Sequence, residues 1–219
     1  MTDDPTEAAD LICVIDDDAD IRGSLDSLLR AAGFAVRTFA APDEFLACAE
    51  ADQAVCLLLD IRLQGADGLD FQQALAERSV PVPVILITGH GDIPMTVRGM
   101  KAGAVDFLAK PIDEDLLLAS VGEAVSRDRE RRAARRRGET VRTSFETLTA
   151  REREVMALVT AGLMNKQVAG QLGLSEITVK IHRGNLMRKM QAQSLADLVR
   201  MAEELGVRDT SATRYHRAD

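Results

Sequence analysis

Residues that can bind a metal ion and a phosphoryl group follow four short apolar segments in the first half of the sequence. Two of these segments end in the carboxylates of Asp16, Asp17 and Asp60, and the other two run into the hydroxyl of Thr88 and the amine of Lys110. Acidic side chains that share a pocket need a cation, and Mg²⁺ prefers oxygen ligands, including those of phosphate. In such a pocket Asp60 would be the nucleophile toward a phosphoryl group, whose oxygens the lysine and the hydroxyl would bind.

The apolar segments themselves predict the elements that position these residues. Short, continuous apolar runs bounded by turn residues are typical of strands buried on both faces of a parallel sheet. The carboxyl ends of such strands lie at one edge of the sheet, so we expect the five polar residues to converge there. Helix capping would explain any one of the aspartates by itself, but it does not explain all five residues together.

Strands alternate with helical segments five times before residue 130, which predicts a doubly wound α/β domain with a five-stranded parallel sheet. The strands are predicted near residues 11–16, 34–39, 55–60, 83–88 and 105–109. The helices are predicted near residues 19–32, 42–51, 67–78, 92–102 and 113 to about 136. Gly33 and Gly103 follow two of these helices, where a left-handed residue is commonly needed.

The length of 219 residues and a hydrophobic fraction of 46% predict two ordinary globular domains. No apolar stretch reaches the roughly 18 residues of a membrane helix, and the acidic start lacks the features of a signal peptide, so we expect a cytoplasmic protein without a membrane partner. Cys13, Cys48 and Cys56 have no metal-ligand spacing, and we interpret them as core residues without chemistry.

The net charge of −8 is unevenly distributed along the sequence. Residues 1–125 contain 8 Lys/Arg and 23 Asp/Glu, whereas residues 126–219 contain 19 and 12. An acidic half joined to a basic half suggests that the second half meets a polyanion. Eight of the arginines lie between residues 126 and 145, and a solvated helix and linker is the simpler interpretation of that run than direct contact with nucleic acid.

The second half carries helical signals and no strand signal. We predict a linker that ends at Thr147, followed by a capping box in which Thr149 and Glu152 open a helix. Further helices are predicted at 166–172, from Ser175 to about Met190, and at 194–204. The predicted layout is a first domain at 10–125, an Arg-rich helical linker at 126–147, a small all-α four-helix domain at 148–206 and a tail at 207–219.

The helix that begins after Ser175 has two distinct faces. At about 100° per residue, one face carries Val179, Leu186 and Met190 and is predicted to be core. The opposite face mixes polar, cationic and apolar residues, which suits a major groove: Ile177, Lys180, Ile181, Gly184, Asn185 and Arg188. A solvated helix with a stray apolar residue is the alternative.

The strand-end residues and their neighbouring motifs resemble those of a known protein family. Residues 10–125 resemble a two-component receiver domain, and the whole sequence resembles a response regulator of the NarL/FixJ class. The stretch from Ile87 to Met95 is especially similar to the FixJ branch. Lys110–Pro111 resembles the lysine of the family and the cis proline that follows it. The resemblance implies a flavodoxin-like sheet of order 2-1-3-4-5. It also implies roles by position: phosphorylation of Asp60, Mg²⁺ binding by Asp16, Asp17, Asp60 and the carbonyl of Arg62, and switching or phosphate binding by Thr88, Phe107 and Lys110.

The second half resembles a LuxR-type helix-turn-helix domain, on Leu148–Val155, Gly162–Ala169 and Thr178–Arg183. The resemblance implies that the third helix enters the major groove and that the fourth packs against its twin in a dimer. The residues then expected at DNA are Asn165, Lys166, Lys180, Ile181, Arg183, Asn185 and Arg188. Dimerisation would use Leu195, Leu198, Val199 and Ala202, a stripe equally typical of a domain core.

Together these features predict a phosphorylation-dependent transcription regulator that is not an enzyme, apart from slow loss of its own phosphoryl group. The expected partners are a sensor histidine kinase, promoter DNA, a second copy of the chain and RNA polymerase. Two departures from the family stand out: Gln64 replaces a proline, which would loosen its loop, and Gly184 replaces a long basic side chain.

Two rival hypotheses stay open at the level of sequence. One is a Mg²⁺-dependent phosphohydrolase with Asp16 as nucleophile and Asp18 as acid, although Asp20 does not fit that motif. The other is a DNA-binding protein that does not depend on phosphorylation and uses its first domain only to dimerise.

Overall fold

The computed structural model describes residues 9–78, 80–89 and 93–208. The chain divides into two compact units, Met1–Arg132 and Ala133–Asp219. Of the Ile87–Met95 stretch, residues 90–92 lie outside the described residues, as do residues 209–219 of the predicted tail. None of the helices in the described ranges is long and apolar enough to cross a membrane.

The first unit is built on a parallel sheet. Its strands are β1 (Leu11–Ile15), β2 (Ala35–Phe39) and β3 (Cys56–Asp60), then a two-stranded hairpin of β4 (Arg62–Leu63) and β5 (Ala66–Asp67), and finally β6 (Val84–Thr88) and β7 (Asp106–Ala109). The five longer strands are parallel in the order β2-β1-β3-β6-β7, which is the predicted 2-1-3-4-5 order. The predicted fold is therefore confirmed.

The helices that lie between the strands of this unit are α1 (Ala19–Ala31), α2 (Pro42–Ala47), α3 (Gly68–Glu77) and α4 (Ile93–Lys101). Helix α5 (Glu114–Glu146) follows β7 and continues past the unit boundary at Arg132. Asp18 caps α1 and Asp67 caps α3, each by accepting hydrogen bonds from two backbone N–H groups of the first turn. Gly33 and Gly103 have φ of 93° and 89° after α1 and α4, as predicted. The prediction for α2 was too long, because this helix ends at Ala47 and a short 3-10 helix follows at Ala51–Gln53.

Alternating residues of the strands fill two separate hydrophobic cores, one on each face of the sheet. Ile12 and Val14 belong to the core that includes α1 and α5, whereas Cys13 and Ile15 belong to the other. Cys56, on the strand beside β1, lies in the first of these cores. Burial raises the pKa of the Cys13 thiol to about 12, which agrees with the interpretation of the buried cysteines as core residues.

Helix α5 corrects the sequence prediction, which ended the fifth helix near residue 136, inside a helical linker that reached Thr147. The helix continues to Glu146, through Gly138. A single glycine costs a helix only about 1 kcal/mol, and the ion pairs Arg135–Glu139 and Arg142–Glu146 form on its exposed surface. Val141 and Phe145 also pack against the core of the second unit.

The second unit contains α6 (Ala150–Thr160), α7 (Asn165–Leu172), α8 (Glu176–Lys189) and α9 (Leu195–Glu204) around one core. The predicted capping box is present: Glu152 N–H donates to Thr149 Oγ1, and Thr149 N–H donates to the Glu152 carboxylate. Gly173, with φ of 64°, ends α7 in the left-handed conformation. The predicted tail begins too early, because Val207 still packs against this core.

Candidate functional site

The first candidate site lies at the carboxyl ends of β1 and β3. Asp60 is the last residue of β3, and Asp16 and Asp17 directly follow β1, which pairs with β3. One carboxylate oxygen from each of these three residues lies within 4.8 Å of the other two. Asp16 and Asp60 are buried, at 1% and 5% exposure, and Asp17 is half-buried. The predicted convergence of the acids at one edge of the sheet is confirmed.

Lys110 connects two of these carboxylates. Its Nζ donates to Asp16 Oδ2 at 2.7 Å and to Asp60 Oδ2 at 2.5 Å. Burial disfavours the charged amine, but the hydrogen bonds to the two aspartates outweigh burial and raise the pKa of Lys110. Burial raises the pKa of Asp16, although its hydrogen bond to Lys110 acts in the opposite direction. The amine therefore stays protonated beside the acids.

Backbone groups fix the orientation of the acids. Asp16 Oδ1 accepts from the N–H of Asp18, and Asp60 Oδ1 accepts from the N–H of Arg62, both at 2.9 Å. Arg22 Nη1 donates to the backbone oxygen of Asp16 at 2.5 Å. Asp16 and Asp60 thus each have one carboxylate oxygen fixed by a nearby backbone N–H and the other by Lys110.

Gly68 is a positional requirement that the sequence analysis missed. A Cβ atom at this position would lie 2.8 Å from Ile61 Cα, and it would also overlap the carbonyl oxygen of Asp60. Only glycine lets the start of α3 pack this closely on the residues that follow β3. The available signal was a glycine directly after the cap residue Asp67, at the first position of a helix, where other residues are more common.

The remaining predicted residues of the first unit lie on neighbouring strands. Thr88 ends β6 and is fully buried, and Phe107 is half-buried on β7, where it pairs with Leu86. The N–H of Lys110 donates to the carbonyl oxygen of Thr88 at 2.7 Å, which joins these two strand ends. Arg62 lies in β4, next to Asp60, with an exposed side chain.

The acidic pocket suits a divalent cation by its donor set. All three carboxylate ligands are hard oxygen donors, which favour Mg²⁺, Ca²⁺ or Mn²⁺ over metals that prefer nitrogen or sulfur. Lys110 supplies a positive charge against two of the three, Asp16 and Asp60. The residues present therefore fit a bound Mg²⁺.

The second candidate site is the outer surface of α8. Val179 and Leu186 are fully buried and Met190 nearly so, which confirms the predicted core face. Ile177 and Ile181 are exposed on the opposite face, at 74% and 58%. Ser175 caps the helix by accepting from Thr178 N–H. Lys166, Lys180, Gly184 and Arg188 are also exposed.

Four of the residues expected at DNA form two side-chain hydrogen bonds with one another. Arg183 Nη1 donates to Asn165 Oδ1 at 3.2 Å, which connects α8 to the first residue of α7. Arg188 Nη2 donates to Asn185 Oδ1 at the same distance, within α8. These contacts hold Arg183 and Asn185 half-buried against the helix surface.

The four residues expected at a dimer contact divide into two groups. Leu198 and Ala202 are completely buried in the unit's own core, so they offer no surface to a second copy. Leu195 is exposed at 39% and Val199 is half-buried. The stripe predicted on α9 is therefore mainly core, and only its edge is accessible.

Asp128 forms a buried ionic cluster that the sequence analysis missed. It is fully buried and accepts from both Arg131 and Arg132. Arg132 also donates to the carbonyl oxygens of Gln53 and Ala54, both at 3.1 Å. Part of the Arg-rich run therefore packs on the first unit instead of facing solvent. The available signal was an aspartate with arginines three and four positions later.

These two sites agree with two protein families. The chain matches the "Response regulator receiver domain" family over residues 12–122 and the "Bacterial regulatory proteins, luxR family" over residues 146–202. The chain therefore belongs to the response regulators. It is a transcriptional regulator of a two-component system, with a receiver domain and a LuxR-type DNA-binding domain.

Individual relatives share both domains. Nodulation protein W of Bradyrhizobium diazoefficiens is 53% identical over 197 residues, which cover 90% of this chain and 87% of that protein. The transcriptional regulatory protein FixJ of the same species is 39% identical over 90% of this chain and 96% of its own length. The structure of the response regulator StyR matches with a TM-score of 0.79 and 46% identity, covering 90% of this chain and all of StyR.

Proposed function

We propose that Asp60 accepts a phosphoryl group from the histidine of a sensor kinase and that this modification controls DNA binding by the second unit. One observation carries the proposal: Lys110 Nζ lies 2.5 Å from Asp60 Oδ2, at the edge where three carboxylates meet. A carboxylate at this position can attack phosphorus while the histidine nitrogen leaves, and the amine is already in place to bind the phosphoryl oxygens.

Asp16, Asp17, Asp60 and the carbonyl of Arg62 would hold Mg²⁺ in this pocket. The ion would neutralise the acids and the charge on the phosphoryl oxygens. Lys110 would then move from Asp60 Oδ2 to a phosphoryl oxygen, and the hydroxyl of Thr88 would donate to another. Phe107, half-buried on the neighbouring strand, would change position together with Thr88.

In the second unit, we propose that α8 enters the major groove of promoter DNA. Lys180 and Ile181 would contact base edges, and Lys166 and Arg188 would contact phosphates. Arg183 would act mainly by holding Asn165 at the start of α7, where the side chain of Asn165 can reach a phosphate, and Asn185 would lie beside the groove. The exposure and positive charge of Lys166, Lys180 and Arg188 support this arrangement.

The same proposal assigns the layout and the partners. Residues 10–125 form the receiver domain, the helical segment 126–147 connects it to the DNA-binding domain at 148–206, and Leu195 and Val199 contribute to a homodimer on DNA. A two-fold dimer requires an inverted-repeat site. RNA polymerase is the further partner that regulation of transcription requires.

Phosphoryl transfer tests the first part. With Mg²⁺ and a small phosphodonor such as acetyl phosphate, Asp60→Asn should abolish incorporation of phosphate into the chain. Asp18→Asn is a matched control, because asparagine also caps a helix and Asp18 serves as the cap of α1. This variant should incorporate phosphate as the wild type does, and its phosphoryl group should be lost only slowly.

Other outcomes would favour the rival functions. Turnover of small phosphate esters that survives Asp60→Asn and disappears in Asp16→Asn would indicate a phosphohydrolase. Equal DNA affinity of Asp60→Asn and the phosphorylated wild type, at one salt concentration, would indicate binding that does not depend on phosphorylation.

A further inference from the structure

Two large apolar side chains are exposed on the outer face of α8. Ile177 and Ile181 are 74% and 58% exposed, and they lie four residues apart on the same side of the helix. A single exposed isoleucine needs no explanation, but two adjacent ones on a helix otherwise rich in cations suggest a binding surface. Burying an exposed isoleucine side chain is favourable, so a partner would gain from covering them.

The charges around this pair favour DNA as the partner. Lys180 and Arg188 are exposed on the same helix, and Lys166 is exposed on α7. Glu176 is the acid of the first turn, about 100° around the axis from Ile177. The isoleucines therefore share the exposed surface of α8 with two cations, which complement the phosphates that border a groove.

Ile177 lies in the first turn of α8, directly after the cap residue Ser175 and Glu176. In a helix-turn-helix complex, the residues at the start of the recognition helix contact base edges. The family resemblance places Ile181 among the residues expected at DNA and does not include Ile177. Four residues rise by about 6 Å along a helix, so the two side chains would meet different base pairs.

An isoleucine has no hydrogen-bonding group, which limits what it can recognise in DNA. In the major groove, the apolar group of an unmodified base is the C5 methyl of thymine. We propose that Ile177 is a specificity-determining residue that packs against a thymine methyl, at a base pair other than the one that Ile181 contacts. The proposal rests on the proposed function, in which α8 enters the major groove.

Replacing thymine by deoxyuridine removes this methyl and leaves the base pair intact. The probe is the duplex that the full-length chain, with Mg²⁺ and beryllofluoride, selects from a randomised DNA library, with each thymine replaced in turn by deoxyuridine. For the wild type, replacement at the contacted thymine should weaken binding about threefold to fivefold, the value of one buried methyl group. Ile177→Ala should bind the thymine and deoxyuridine duplexes at that position equally well.

Three variants serve as controls. Ile177→Val keeps a branched apolar side chain and should keep most of the preference for thymine. Ile181→Ala should lose the preference at a different position. Lys180→Ala should weaken binding to every duplex and leave the thymine preference at the Ile177 position intact. Circular dichroism of Ile177→Ala should match that of the wild type, because the side chain is exposed and supports no core contact.

The outcomes separate this inference from the proposed function. If Lys180→Ala and Ile181→Ala bind DNA as the wild type does, α8 is not the recognition helix and both proposals fail. If those variants weaken binding but Ile177→Ala keeps the wild-type response to deoxyuridine at every position, only the role of Ile177 is overturned. If Ile177→Ala keeps the wild-type response to deoxyuridine but no longer supports transcription, Ile177 contacts a protein partner instead of DNA. That outcome would also overturn the inference.

Discussion

At the scale of single residues, Lys110 determines how three acids can share one pocket. Its amine donates to two carboxylates that are almost completely buried. A cation in this position lowers the repulsion between Asp16 and Asp60 when no metal ion is bound. The amine also competes with a metal ion for the same oxygen atoms. A bound metal ion should therefore compensate in part for loss of the amine.

Lys110→Met should therefore make stability depend more strongly on Mg²⁺. Without the ion, we expect the free energy of unfolding of the first unit to fall by about 1–3 kcal/mol, because two buried acids lose their partner. Added Mg²⁺ should then stabilise the variant more than the wild type. Thermal unfolding with and without Mg²⁺ measures both effects, and Lys101→Met, at an exposed position of α4, is the control. An equal response to Mg²⁺ in the wild type and Lys110→Met would contradict the competition.

Glu152 provides a pH-dependent contribution to the second unit. Its burial opposes ionisation, but the hydrogen bonds from Lys189 and Thr149 prevail and lower its pKa below the ordinary value of 4.5. An acid with a lowered pKa stabilises the fold above its ordinary pKa, and this stabilisation is lost as the pH falls through the lowered value. Neutral pH therefore retains the full contribution.

Glu152→Gln should destabilise α6 and α8 by about 1–3 kcal/mol at pH 7, because Lys189 loses a charged partner in a buried setting. The difference from the wild type should shrink as the pH falls below 4.5 and then through the lowered pKa of the folded protein. Amide hydrogen exchange of the two helices measures the local free energy of opening. Glu154→Gln, which removes an exposed pair with Arg151, should change it by less than about 0.5 kcal/mol at either pH. A constant difference at all pH values would rule out ionisation as the cause.

Site residues at strand ends could be predicted from sequence, whereas buried charges could not. Asp16, Asp60 and Lys110 follow apolar segments, and the topology of a parallel sheet then brings them together. The spacing of Asp128 from its arginines signals ion pairs but not burial, because burial depends on the fold of the residues before β3, whose carbonyl oxygens accept from Arg132. Gly68 depends in the same way on how closely α3 approaches Ile61.

At the scale of elements, the hairpin after Asp60 shows how a loop can be ordered without proline. Arg62 pairs with Asp67 and Leu63 with Ala66, and Gly65 has φ of 80°. A glycine with positive φ at the third position of a turn is typical of type II, in which proline is common at the second position. Gln64 occupies that second position, so the backbone already suits the residue that the family usually has there.

Gln64→Pro should therefore be tolerated and should stabilise the first unit by about 0.4–1 kcal/mol, by restricting the unfolded chain. The midpoint of urea unfolding, followed by a probe in the first unit, measures the change. Gln73→Pro is the contrasting variant, because position 73 lies inside α3 and proline there should cost about 3 kcal/mol. A loss of stability in Gln64→Pro would show that the turn differs from type II.

The lengths of elements were predictable where a start or stop signal was strong. Thr149 with Glu152, and Gly173 after Leu172, mark helix boundaries by local hydrogen bonding and backbone conformation. The end of α5 was not predictable from Gly138, because one glycine is a weak stop signal against favourable neighbours and tertiary packing. Val141 and Phe145 pack on the core of the second unit, and this packing favours continuation of the helix beyond Gly138.

At the scale of the whole molecule, α5 is the element shared by the two units, whose boundary falls after Arg132. Gly138 is the helical residue with the lowest propensity in the part that follows. A Cβ atom there would lie 2.9 Å from Glu204 Oε1, the mobile end of a flexible side chain. The position therefore has room for alanine after a small movement of that carboxylate.

Gly138→Ala should strengthen the helix by about 0.5–1 kcal/mol and should slow tryptic cleavage after the neighbouring arginines, which requires local opening. The rate at which the full chain is cut between residues 135 and 138 measures this effect. Gly122→Ala is the matched control, since it lies in the same helix with open space around its Cβ and should leave that rate unchanged. Equal cleavage rates in both variants would mean that opening does not occur at Gly138.

The reactivity of the three cysteine thiols can measure the opening of the sheet. Cys13 and Cys56 occupy opposite sides of two paired central strands, whereas Cys48 is only half-buried. A coloured thiol reagent would therefore consume one equivalent early and two more only when the strands separate. The fast reaction of Cys48 provides an internal standard. The slow reaction of Cys13 and Cys56 measures the rate at which the strands that carry the acids separate, and no engineered label is needed.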